Sequence, residues 1–250
     1  MSAQPWIVPD WPAPARVRAS VTTRLIAGAS QPPFDAFNLG AHCGDDPAAV
    51  AANRDALVAR LGLPATPHWL RQVHGTEAAL FDAPALTDAE PAVADAAITR
   101  TPGVVLCVLS ADCLPLLVCA DDGGEVAAIH AGWRGLAAGV IESCVARMQT
   151  PVERLKFWLG PAIGPDSYEV GAEVRDAFVA ADAAAAAAFA PTRPGHWHCD
   201  LYALARLRIE AIGACRVAGG GFDTLHDARF YSYRGARPTG RFASLVWIAD

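Results

Sequence analysis

The chain has 250 residues, 53% of them hydrophobic and 18% charged. That much apolar material excludes disorder as a general description and suits one large domain with a sizeable core. Lys and Arg number 20 against 26 Asp and Glu, a net charge of −6, which argues against a chain-wide nucleic-acid footprint, because such surfaces carry a basic stripe.

Seven cysteines, with no C-x-x-C pair among them, read as reduced thiols of a cytoplasmic protein rather than as a disulfide framework. Residues 1–10 have no basic start and no apolar run, so no secretory signal is expected there. The most apolar stretch, 104–120, contains Ser110, Asp112 and Pro115. It reads as two buried strands with something unusual between them, not as a membrane span.

In chain order, residues 1–15 are expected to form an irregular arm, and the alternation of Val17, Ala19 and Val21 predicts a strand over 16–24. Asp46 and Pro47 make an N-cap and a first-turn proline, and Val50, Leu57, Val58 and Leu61 share the apolar face of a helix closed by Gly62 and Pro64. Short strands are predicted at 69–73 and 78–81, then a loop over 82–90. Buried strands follow at 104–109 and 116–120. The turn 121–124 leads to a strand at 126–130, a helix at 135–149 and a strand at 155–159. Composition predicts helix throughout 171–189, including six alanines. Asp200 caps a helix over 201–212, and a last strand covers 243–248. The expected class is α/β: a single domain of mixed β-sheets covered by helices in layers.

Three clusters carry chemistry. Ser110-Ala111-Asp112-Cys113-Leu114-Pro115 places polar groups between two apolar strands, where an unpaired polar group costs about 1–3 kcal/mol. His130-Ala131-Gly132-Trp133-Arg134-Gly135 sits where a strand passes into a helix, with glycines that admit a close ligand and an arginine suited to an oxyanion. Arg71-Gln72-Val73-His74-Gly75 ends a strand with a histidine. His74, Cys113 and His130 together would suit zinc or copper, but their spacings of 39 and 17 residues match no short metal motif. The same atoms also permit a metal-free reading, with Cys113 as a thiolate, a histidine as its base and Asp112 as orienter. A fourth stretch, Phe230 to Arg234 with Thr239-Gly240-Arg241, offers aromatic faces and arginines; it reads equally as a surface hairpin.

These motifs resemble the YfiH-like, or laccase-domain, family. The matching stretches are FNLGAHCGDDPAAVAANR, RQVHGTE, DAAITRTPGVVLCVLSADCLPLLV, AAIHAGWRGLAAGVIE, LGPAIGPDSYEVGAEV and FYSYRGARPTGRFASLVWIA, from about Phe37 to the C-terminus. The resemblance implies a zinc site from His74, Cys113 and His130. It also implies purine nucleoside phosphorylase activity, adenosine deaminase activity, and purine nucleosides and phosphate as partners. Asp112, Cys113 and His130 are the candidate catalytic residues, with Asp112 either an acid/base or an orienter. Arg71, Arg134, Arg234 and Arg241 are the candidates for substrate or phosphate. No nucleic acid or membrane is expected as a partner, and the chain is expected to be a monomer or weak homo-oligomer. The alternatives are a copper polyphenol oxidase, a Cys-His hydrolase and a binding module for peptidoglycan precursors. Scattered histidines and two methionines offer little for a multicopper cluster. Many members of the family it resembles carry Cys-Thr where this chain has Asp223-Thr224, a departure that speaks against an essential role for that extra thiol and leaves the three ligands untouched.

Overall fold

The computed structural model describes residues 5–86 and 90–250. Two sheets form the centre. One has the order Trp6–Ile7, Val17–Thr22, Phe242–Ile248, Val105–Ser110, all antiparallel. The other runs Val217–Gly219, Leu155–Leu159, Leu114–Ala120, Val126–Ala131, Ala96–Thr99, Ala78–Leu80, with parallel pairs at both edges and antiparallel pairs between.

The apolar runs explain the layering. Side chains alternate across a strand, so a strand buried on both faces must be apolar at every position. In Val105–Ser110, Leu106 and Val108 point toward the second sheet, while Val105, Cys107 and Leu109 meet the helix Pro47–Leu61 through Leu57. In Leu114–Ala120, Leu117 and Cys119 share the core between the sheets. Leu116 and Val118 face Leu136, Ile141, Leu204 and Ile209 of the helices Trp133–Ala138, Val140–Arg147 and Leu201–Ala211. The result is helix, sheet, sheet, helices. No described helix is long and apolar enough to cross a membrane.

The two apolar strands of 104–120 therefore do not form a hairpin. They belong to different sheets, and only Ala111-Asp112-Cys113 joins them. Asp112 takes φ of +87° to make this crossing, a conformation that non-glycine residues adopt at a cost.

Several boundaries differ from expectation. The second strand begins at Leu114 and runs through Pro115. The helix expected at 135–149 is two helices, broken at Gly139, whose φ of +95° a continuous helix cannot accommodate. The stretch 171–189 is helical only at Ala172–Val179. Asp182 then caps a short 3-10 segment over Ala183–Ala188, and Phe189–Arg193 is a strand. That strand lies in a three-stranded sheet with His196–Cys199 and Glu169–Gly171. The first expected arm holds a short strand, Trp6–Ile7. The loop of 82–90 has no strand or helix at 82–86 or 90, and its residues 87–89 lie outside the described ones.

Candidate metal centre

The crossing turn and the ends of the six-stranded sheet make the site. Leu114 pairs with Ala131 and Pro115 with His130. This register sets Cys113 at the end of one strand beside Gly132 at the end of the next. Across the other edge Ala96 pairs with Ile129, which brings Asp95 alongside His130. The loop carrying His74 precedes Ala78–Leu80, which pairs with Ala96–Thr99.

Strand pairing thus does what the spacing of 39 and 17 residues left open. One ligand atom from each of His74, Cys113 and His130 lies within 4.8 Å of the others. Cys113 Sγ is 3.6 Å from His74 Nε2, and the two imidazole rings meet edge to face with centroids 4.8 Å apart. His74 is exposed, Cys113 half-buried and His130 buried.

Gly132 is needed for closeness rather than for backbone freedom, its φ being −65°. A Cβ there would lie 2.6 Å from His74 Cδ2 and 3.0 Å from Cys113 Sγ. We predict that Gly132→Ala pushes His74 out of the cluster and lowers metal affinity about tenfold or more, roughly 1.4 kcal/mol. The far-UV circular dichroism should stay unchanged, and metal titration checks the loss.

Four core thiols, Cys107, Cys119, Cys144 and Cys199, are each pushed up to about 12, chiefly by burial. Cys113 differs. Burial again opposes its charge, but the His130 imidazole and hydrogen bonds from His130 and His74 outweigh it and hold the thiol down at about 6. His130 moves the other way. Burial would lower it, and the Cys113 charge and the Asp95 carboxylate raise it. The pair favours a thiolate, the form that binds a metal or attacks an electrophile.

Sequence reasoning missed Asp95. Its side chain is fully buried, and Oδ1 lies 2.9 Å from His130 Nδ1. With Nδ1–H donating to the carboxylate, Nε2 of His130 is left as the free donor atom. Two imidazoles, one thiolate and a glycine that leaves the space between them open fit a zinc or copper ion.

The trio opens onto a cavity of about 820 Å³. Its lining also includes His42, Trp133, Arg134, Tyr168, Tyr233, Arg234, Arg237 and Arg241. Residues 18–249 match the family model described as multi-copper polyphenol oxidoreductase laccase. The chain belongs to this family.

Its relatives include a purine nucleoside phosphorylase of Pseudomonas aeruginosa, 55% identical over 98% of this chain and 99% of that one. Purine nucleoside phosphorylase YfiH of Escherichia coli K12 is 47% identical over 97% and 98%. Among solved structures, Neisseria meningitidis protein NMB0706 superposes with a TM-score of 0.93 at 42% identity, covering 99% and 100% of the two chains. YlmD from Geobacillus stearothermophilus gives 0.87 at 29%, covering 100% and 98%.

The remaining sequence-predicted residues of this laccase-domain chain divide. Asp112 lines the cavity, and both its oxygens are engaged. Thr224 Oγ1 donates to Oδ1 and the Arg234 backbone N–H to Oδ2, each at 2.6 Å. Asp223 accepts from the backbone N–H groups of Gly164 and Leu225 and from the Ser167 hydroxyl. It anchors the segment that presents Thr224.

Arg134, Arg234 and Arg241 reach the cavity, joined by Arg237, which sequence reasoning did not single out. All four lie over aromatic rings: Arg134 on Trp133 at 4.4 Å, Arg234 on Tyr168 at 5.3 Å, and Arg237 and Arg241 on Tyr233 at 4.3 and 5.6 Å. Among the described residues none of them has a carboxylate within 4.0 Å.

Arg71 is exposed on the short strand Leu70–Arg71 and does not line the cavity. Its neighbour Gln72 does, with its amide bonded both ways to the Leu109 backbone at 2.8 Å. The Phe230–Tyr233 stretch is no surface hairpin: Phe230 and Tyr231 are buried, and only Tyr233 is exposed. The helix after Gly132 has six residues, a short dipole, so the anion-binding capacity of this wall rests on its arginines. His196 and His198 form the chain's one H-x-H spacing, on the strand His196–Cys199. They stand outside the His74–Cys113–His130 cluster.

Proposed function

We propose that this chain is a zinc-dependent purine nucleoside phosphorylase. It would convert adenosine, inosine or guanosine with phosphate to the free base and ribose 1-phosphate, and hydrolyse adenosine to inosine and ammonia as a second activity. The observation that carries this reading is one chamber that holds both a metal-donor set and a group of arginines. Its lining brings together the His74–Cys113–His130 donors and four guanidinium groups that, among the described residues, have no carboxylate within 4.0 Å. Relatives that carry the phosphorylase name, aligned over nearly the whole chain, support the substrate class. A cytoplasmic setting belongs to the same reading, since none of the seven cysteines is paired in a disulfide.

His74, Cys113 and His130 would hold the zinc, which would supply a Lewis acid toward a substrate oxygen or water. Phosphorolysis breaks the C1′–N9 bond, joins C1′ to a phosphate oxygen and transfers the proton that phosphate gives up to the departing base. The chain's own part is to bind and orient. Arg134, Arg234, Arg237 and Arg241 offer planar donor forks for the phosphate. Tyr168, Tyr233 and Trp133 offer flat faces to the base or ribose. Asp112 holds the Arg234 segment against the turn that carries Cys113.

Incubation of inosine with and without phosphate, read by release of hypoxanthine, is the test. Phosphate-dependent release, abolished by chelator and restored by zinc, is expected. Equal release without phosphate, or none with metal and phosphate present, overturns it. A second reading, copper-dependent phenol oxidation, is favoured by the family description. A single three-donor cluster among the described residues argues against several copper ions. Phenol turnover by the copper-loaded protein would restore that reading.

The anion wall gives its own prediction. Arg134 is exposed and stacked on Trp133, so Arg134→Lys keeps the charge but loses the bidentate fork. KM for phosphate should rise about tenfold, the loss of roughly 1.4 kcal/mol. The thermal midpoint should move little, as for other exposed substitutions. An unchanged KM with a lowered midpoint would make the residue structural.

A further inference from the structure

We infer that Asp95 is the positioning residue of the metal centre, the single group that fixes two of its three ligands. The inference rests on the reading of His74, Cys113 and His130 as metal ligands, and extends it to a residue outside the trio.

Asp95 accepts four hydrogen bonds. Oδ1 takes His130 Nδ1–H at 2.9 Å and the His74 backbone N–H at 3.0 Å. Oδ2 takes the backbone N–H groups of Val73 at 3.1 Å and Gly75 at 2.7 Å. Its main chain adds a further link, its carbonyl accepting from His130 N–H at 2.7 Å. Three successive N–H groups can converge on one carboxylate only if the chain curls around it. His74 makes that curl with φ of +59°, which histidine adopts at a cost. The carboxylate offsets the cost and so aims the His74 ring. On the other side the same carboxylate selects the His130 tautomer, with Nδ1 protonated and Nε2 free for a metal.

All four partners are donors, and an amide cannot serve them. In Asp95→Asn the Nδ2 group must face either two backbone N–H groups or His130 Nδ1 together with the His74 N–H. The second orientation drives His130 to the Nε2–H tautomer, which accepts from the amide at Nδ1 and leaves no lone pair on Nε2 for a metal. A metal-ligating histidine that loses its carboxylate partner typically forfeits 10–100-fold in affinity.

The experiment measures zinc affinity by competition with a chromophoric chelator and records the cobalt(II) spectrum, both independent of turnover. A control separates positioning from stability. Glu125→Gln removes another buried carboxylate, one that binds the backbone N–H groups of Gln149 and Thr150. It lies five residues from His130 on or beside one strand, about 16 Å at ~3.3 Å per residue. Asp95→Asn should lose at least tenfold in zinc affinity and shift the cobalt bands, while Glu125→Gln keeps both at wild-type values. Wild-type affinity in Asp95→Asn, or an equal loss in Glu125→Gln, overturns the inference. Should Asp95→Asn not fold, long-range ¹H–¹⁵N spectra of the zinc-loaded wild type decide. A metal on His130 Nε2 with a proton on Nδ1 supports the inference, and a metal on Nδ1 overturns it. If the wild type binds no metal, the ligand reading fails with it; if it binds metal and the variants match it, only the role of Asp95 fails.

Discussion

Cys113→Ala is expected to release zinc and abolish turnover. Two imidazoles remain, one of them exposed, and the charge that balances the ion is gone. Structural zinc sites of four ligands contribute about 10–16 kcal/mol, so one ligand accounts for roughly 2.5–4 kcal/mol and loss of the thiolate weakens binding by a factor on the order of 10²–10³. Activity alone decides little, because a thiol nucleophile would also be lost with this substitution. Alkylation decides. In the zinc-loaded protein the sulfur is coordinated and iodoacetamide should label it slowly. After chelation it should label fast at neutral pH. A thiol held at about 6 is mostly thiolate above that pH, whereas an ordinary cysteine becomes so only above about 8.5. In metal-free protein the labelling rate should therefore rise as pH climbs through 6 and be nearly level by 8. Fast labelling of Cys113 in fully metallated, active enzyme would remove it from the coordination shell. So would full zinc retention by Cys113→Ala.

The three donors were legible because each stands next to residues that make poor sense in a core or a plain turn. Cys113 follows an aspartate between two apolar strands, and His74 and His130 each stand near glycine. The meeting point was not legible, since it depends on strand register: Leu114 opposite Ala131, and Ala96 opposite Ile129. Asp95 was missed for the same reason. It lies in an alanine-rich stretch, VADAAIT, beside a strand whose alanines give little β signal, and nothing local distinguishes it from a loop carboxylate. The apolar run of 104–120 showed buried strands correctly. That its halves enter different sheets is a matter of packing, visible only as the sorting of alternate side chains into different cores. The alanine run misled because composition favours helix throughout, while Asp182 and the pairing of Phe189–Arg193 with His196–Cys199 end the helix early. Tertiary pairing overrode local propensity.

The two aspartates flanking the His74–Cys113–His130 trio differ in a way that makes opposite predictions for the same chemical change. Among the described residues the Asp95 carboxylate meets four donors and no acceptor, so an amide is disruptive there. Asp112 has one fixed donor, the Arg234 N–H, and one hydroxyl, Thr224 Oγ1, and a hydroxyl can reverse its role. In Asp112→Asn the carbonyl oxygen keeps the Arg234 N–H, the amide nitrogen donates to Thr224, and asparagine tolerates the positive φ as well as aspartate does. Asp112→Ala loses both bonds and the conformational fit. Hydrogen bonds to a charged group contribute about 1.5–3 kcal/mol each, and the segment released carries Arg234 into the chamber. If Asp112 positions that segment, kcat/KM of Asp112→Ala should fall about 100-fold or more, mostly through KM for phosphate. Asp112→Asn should stay within about fivefold of wild type, and both variants should keep their zinc. If Asp112 instead transfers a proton, the amide is as useless as a methyl group. Asp112→Asn would then fall as far as Asp112→Ala, in kcat rather than KM, and the pH–rate profile would lose a limb. Parallel kinetics of the two variants across pH, with zinc content measured in each, separate the outcomes.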